Sequence, residues 1–132
     1  MKIEQEKTLI VGVDLTHAPR SQSNVAADPT QAEESLDELA ILAESAGAAV
    51  VDRILQQRPA LDAATLIGSG KVEEIRLRVE AGLIETVIFD RELSPTQLRN
   101  LERALRCKVI DRTQLILDIF ARRARTKEGQ LQ

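Results

Sequence analysis

The sequence predicts an α/β fold: one three-layer domain with a mainly parallel sheet of about five strands, crossover helices and a C-terminal helix that is open-ended. Three observations lead there. Residues 65–132 divide into successive strand, loop, helix units, TLIGSGKVEEIRLRVEAG, TVIFDRELSPTQLRNLERAL and KVIDRTQLILDIFARRARTKEGQLQ. Each opens on a short β-branched run and changes to helical spacing after Gly, Asp or Ser, the pattern of parallel strands joined by helices. The length of 132 residues allows one domain with its own core and is too short for two ordinary ones, so 1–132 is read as a single unit.

The first strand is expected at KTLIVGVDL, with Ile10, Val11 and Val13 as its buried body. Residues 16–31 hold Pro19, Pro29, Ser21, Ser23, Asn24 and Asp28 and are expected to form a mobile loop, long for a connection inside a compact domain. Thr30 and Glu33 then have capping-box spacing. Leu36, Leu39, Ala40, Ala43 and Ala46 recur at three- and four-residue intervals up to a glycine stop at Gly47. Residues 48–55 read as a second strand. They stand in one of two orientations, because the connection over 56–64 is too short for a helical crossover and allows an antiparallel pairing with the run at Thr65.

In the second unit, Ser94, Pro95 and Gln97 mark a helix start, since Ser caps, Pro is preset for the first helical turn and Gln reaches back three residues. Leu98, Leu101 and Leu105 form its buried stripe. In the third unit Thr113 is the expected cap, and Leu115, Ile116, Ile119 and Phe120 are expected to face inward. Residues 113–132 are read as the start of a longer helix or hairpin, because Leu131 follows a polar stretch with no effective glycine stop.

Composition narrows the function classes. Phe89 and Phe120 are the only aromatic residues, which argues against base stacking on rings. No apolar run approaches the ~20 residues needed to span a bilayer, so the expectation is a cytoplasmic protein with no membrane partner. Cys107 has no disulfide partner in the chain and precedes an apolar strand run, where small buried thiols are common. The net charge of −3 hides an asymmetry: seventeen acidic and nine basic residues up to Leu98, a balance of −8, against nine basic and four acidic from Arg99 onward, a balance of +5. An anionic partner is therefore expected at the C-terminal end.

Gly68, Ser69, Gly70 and Lys71 invite a phosphate-binding reading, because glycines between a strand and a helix let backbone N–H groups converge on an anion. The loop fails as a nucleotide-hydrolysing P-loop: Thr65 stands where the first glycine is required, and Val72 where the metal-binding Ser or Thr is required. A structural turn and an anion or RNA-phosphate contact both remain open. Asp14, Asp90 and Asp111 fall at strand ends, where α/β sheets place ligands, but Asp there commonly caps the next turn. His17 has no second His or Cys partner, so no metal site is expected. There is no Ser-His-Asp set and no nucleophile elbow, and catalysis by this chain is not expected.

Residues 66–74 (LIGSGKVEE), 87–102 (VIFDRELSPTQLRNLE) and 109–132 (VIDRTQLILDIFARRARTKEGQLQ), in that order and spacing, resemble the N-terminal region of the HflX family of ribosome-associated GTPases. In that family an α/β subdomain is followed by a long helical hairpin and a GTP-binding domain with the true P-loop. The resemblance covers the first subdomain, with the GTPase domain absent from this chain. It implies no cofactor here, with GTP and Mg expected only in the missing GTPase domain. It further implies two partners, the large (50S) ribosomal subunit and the GTPase domain of the parent protein, in ribosome splitting or rescue under stress. The implied rRNA phosphate contacts are Arg112, Arg122, Arg123, Arg125 and Lys127, with Lys71 and Arg91 as weaker ones. The alternative is a stand-alone α/β domain binding a small phosphorylated ligand at the Gly68-Lys71 loop. A monomer is expected.

Overall fold

The computed structural model describes residues 3–15, 30–58 and 60–131, the side chains of Thr30 and of 124–131 excepted. The elements run β1 (Lys7–Leu15), α1 (Thr30–Ser45), β2 (Ala49–Arg58), α2 (Ser69–Gly82), β3 (Thr86–Phe89), α3 (Pro95–Leu105), β4 (Lys108–Asp111) and α4 (Arg112–Leu131). The strands form one sheet in the order β2-β1-β3-β4, and every neighbouring pair is parallel. Side-chain alternation along β1 divides the core in two. Leu9, Val11 and Val13 pack towards α2 and α3 with Val72, Ile75, Val79, Leu101 and Leu105. Ile10 packs on the other side with Leu36, Leu39, Ala43 and Leu115 from α1 and α4. Burial on both faces is why the central strands β1 and β3 are apolar runs rather than half-polar alternations, whereas the edge strand β2 carries charged and amide residues.

The sheet has four strands where about five are predicted, and the missing one is the run at Thr65. Asp62 Oδ1 accepts from the Ala64 and Thr65 N–H groups at 2.8 and 3.1 Å, and Asp62 and Leu66 exchange both backbone hydrogen bonds at 2.9 Å. Leu66 consequently takes φ 69°, and this closed turn leaves no ladder partner for 65–67. Leu66 and Ile67 are still fully buried, so their apolar character serves the core from a loop. The antiparallel option for residues 48–55 falls with it: β2 pairs parallel with β1 and runs on to Arg58.

The Ser94 cap forms as its sequence implies. Ser94 Oγ accepts from Gln97 N–H at 3.1 Å and Gln97 Oε1 accepts from Ser94 N–H at 2.9 Å, with Pro95 in the first turn. Gly47 ends α1 at φ 96°, where an added Cβ would lie 2.8 Å from Glu4 Cγ. The cap of α4 is different from the predicted one. Asp111 Oδ1 accepts from Gln114 N–H at 2.8 Å, so Asp111 caps and Thr113 lies exposed inside the helix. Phe120, expected to face inward, is 63% exposed. The loop expected over 16–31 lies outside the described residues except at its end, where Thr30 and Gln31 already belong to α1. No helix among the described residues is long and apolar enough to cross a membrane.

Candidate nucleic-acid interface

Among the described residues, the cations nominated from sequence are spread over α2, the end of β3 and α4. Lys71, in the first turn of α2, turns along its own helix to Glu74 at 3.0 Å, and that hydrogen bond is the main reason the Glu74 carboxyl sits below its ordinary pKa. Arg91, half-buried after β3, donates from Nε to the Val13 carbonyl at 3.3 Å. Arg112, Arg122 and Arg123 lie on α4, in the opposite layer from α2. The side chains of Arg125 and Lys127 are outside the described residues.

Arg112 and Arg122 are engaged inside the domain. Arg112 meets Asp90 at 2.9 Å and Glu38 at 3.1 Å. Hydrogen bonding to Asp90, opposed by partial burial and reinforced by Glu38, raises the guanidinium pKa above its ordinary value. Arg122 reaches Glu4 at 3.1 Å and the Ala46 carbonyl at 3.2 Å, and it stands 3.1 Å from Asp118 Oδ2 as an ion pair without hydrogen-bond alignment. These arginines fasten α4 to α1 and to the chain before β1. Their charge is matched by carboxylates. Arg123 is exposed and has no ion pair among the described residues.

At the Gly68-Lys71 loop, Gly68 is the N-cap of α2 in an extended conformation (φ −66°, ψ 162°) with no side-chain cap. An added Cβ at Gly68 would lie 2.6 Å from Arg58 Nη1, whereas one at Gly70 meets nothing within 4 Å. The Arg58 guanidinium packs over Gly68, and a side chain there would have to displace this flexible end. Two of the three strand-end aspartates are used by the protein itself. Asp90 takes Arg112 and the Ser35 hydroxyl, and Asp111 takes the Gln114 and Leu93 N–H groups. Cys107 packs half-buried against the α2 and α3 side of the core, and burial, with Glu102 adding to it, pushes its thiol pKa up to about 11.

A further row, part of the C-terminal basic excess but not among the nominated phosphate contacts, is on α3. Arg99, Arg103 and Arg106 are all exposed, and none forms an ion pair among the described residues. Their i, i+4, i+7 spacing, opposite the Leu98, Leu101 and Leu105 stripe, was the available signal: at 3.6 residues per turn they fall within about 60° of arc on the outer face. By contrast Arg53, Arg76, Arg78, Lys71 and Lys108 all sit in ion pairs.

A family model described as GTP-binding GTPase N-terminal matches residues 33–121. Among curated proteins, a GTPase HflX of Lacrimispora saccharolytica is 50% identical over 105 residues, which is 80% of this chain and 25% of the relative. A GTPase HflX of Flavobacterium psychrophilum is 42% identical over 130 residues, 98% of this chain and 29% of the relative. A GTPase HflX of Escherichia coli is 50% identical over 99 residues, 75% and 23%. The chain spans 25% of the length of the first of these relatives.

Proposed function

The chain belongs to the GTP-binding GTPase N-terminal family, and from that premise we propose that it acts as a non-catalytic domain of an HflX-like GTP-binding protein. In this role it binds the large ribosomal subunit through rRNA phosphates and regulates the GTPase domain that its relatives carry. The observation that carries the reading is the unequal use of positive charge. The first 98 residues have more carboxylates than cations, whereas from Arg99 onward the balance is +5. There, among the described residues, Arg99, Arg103, Arg106 and Arg123 reach solvent without an ion pair. Guanidinium groups left in solvent on a folded platform suit phosphate, which accepts them in bidentate geometry.

Chemistry on the nucleotide is assigned to the GTPase domain and not to this one. The only Gly-Lys pair here lacks both the upstream glycine and the hydroxyl residue a P-loop needs, and Lys71 is directed to Glu74. GTP and Mg accordingly belong with that other domain.

The test is co-sedimentation of the chain with purified large subunits, alone and with the GTPase domain of an HflX protein supplied in trans. The chain is expected to pellet with subunits at low salt and to change the GTP hydrolysis rate of the added domain. A chain that stays in the supernatant at low salt and leaves the rate unchanged would contradict the reading.

A further inference from the structure

Resting on the rRNA-binding reading, we propose that the outer face of α3, and not α4, is the phosphate-docking surface, and that it takes the backbone of double-stranded RNA. Four observations support this.

The first is charge accounting. Arg112 and Arg122 of α4 are each held between carboxylates. Moving them to a phosphate would uncover Asp90 and Asp118, whose side chains are only 8% and 10% exposed. Such a carboxylate left without its partner is costly. Arg99, Arg103 and Arg106 carry no such obligation.

Geometry is the second. From Arg99 to Arg106 the helix rises about 10 Å, a length over which one nucleic-acid strand carries about three phosphates, so three guanidinium groups meet three charges. Gln97 and Asn100 hold α3 against the preceding loop by donating to the Asp62 and Ala64 carbonyls at 2.9 Å each. The capping box fixes its start. The row is therefore preorganised and loses little backbone freedom on binding.

Third, Arg106 occupies a position that its side chain does not favour. It closes α3 in the left-handed conformation, φ 59°, where glycine or asparagine is the low-energy choice. The strain places a third guanidinium at the end of the row.

Fourth, aromatic rings are lacking on this side. Phe89 is fully buried, and the exposed Phe120 belongs to α4 in the opposite layer. Single-stranded RNA is held by base stacking as well as charge. A row of arginines alone reads a backbone.

The experiment uses the full chain and large subunits, measuring affinity across a salt series. Two variants of equal charge change are compared, Arg99→Ala with Arg103→Ala, and Arg53→Ala with Arg78→Ala, the latter two both in exposed ion pairs. The α3 pair is expected to weaken binding at least about tenfold and to flatten the slope of log affinity against log salt by about 2, whereas the second pair stays near the unaltered chain. Arg106→Gly should raise the melting temperature while weakening binding, a combination that loss of fold cannot produce. A 20-base-pair RNA duplex of arbitrary sequence should compete better than a single strand of equal length. If the α3 pair binds normally while the unaltered chain binds subunits, the α3 assignment fails and the ribosome reading stands. If the single strand competes as well as the duplex, the double-stranded assignment fails. If the unaltered chain does not bind subunits at low salt, both the assignment and the reading fall.

Discussion

Arg112 Nη1, at the first residue of α4, lies 2.9 Å from Asp90 Oδ1 just past the end of β3. The helices α1 and α4 are thereby tied to the carboxyl end of the sheet, where Ser35 of α1 also donates to Asp90. A guanidinium that looks from sequence like a ligand-binding group is held in the fold between two carboxylates.

Arg112→Ala is accordingly expected to destabilise the fold by about 2–3 kcal/mol, the range for losing a hydrogen-bonded charge and stranding its partner. Arg112→Lys should recover only part of this, since a single ammonium replaces two-pronged bonding to Asp90 and Glu38. Urea unfolding checks it: the midpoint should fall with the slope unchanged.

The sequence made the α/β class, the buried stripe of the second unit and the Ser94 cap readable, because these rest on local spacing and on a cap formed within four residues, whereas in the third unit Leu115 is buried but Phe120 is exposed. Two features were not readable. Whether LIG at 66–68 becomes a strand depends on Asp62 closing a turn ahead of it. Whether an arginine is available depends on carboxylates far away in sequence, as with Arg122 and Glu4. A charge total shows where cations are abundant, but only the fold shows which of them already have partners.

Asp111→Ala should cost about 1–2 kcal/mol, because one carboxylate serves both the start of α4, through Gln114, and the Leu93 N–H ahead of α3. Asp111→Asn keeps an acceptor for the helix cap and should cost less. Hydrogen exchange offers a local readout, with faster exchange at the Gln114 amide in the alanine variant.

Leu83→Gly should stabilise the protein, by roughly 1 kcal/mol. Leu83 closes α2 with φ 54° and is 71% exposed, so little packing is lost when the left-handed strain is relieved. The expected result is a higher thermal midpoint, and a lower one would show that the leucine contributes contacts that matter.

Glu6 contributes to acid stability. Burial alone would raise its pKa, but hydrogen bonds from Lys108 and Thr86, with the Lys108 charge, outweigh this and hold the carboxyl below its ordinary value of 4.5. The contribution is therefore fully present above pH 4.5 and is lost as pH falls through the lower folded-state value. Glu6→Gln should lower stability at neutral pH and flatten the acid limb of the stability profile. An acid limb of unaltered steepness would contradict the assignment.

The central claim, that this domain meets rRNA through phosphates held by arginines already positioned in the folded state, is tested most directly by the salt dependence of its affinity for large ribosomal subunits. The account predicts a straight line of log affinity against log salt with a slope of about −2.7 or steeper, from three or more neutralised phosphates. Affinity that is measurable but indifferent to salt would contradict it.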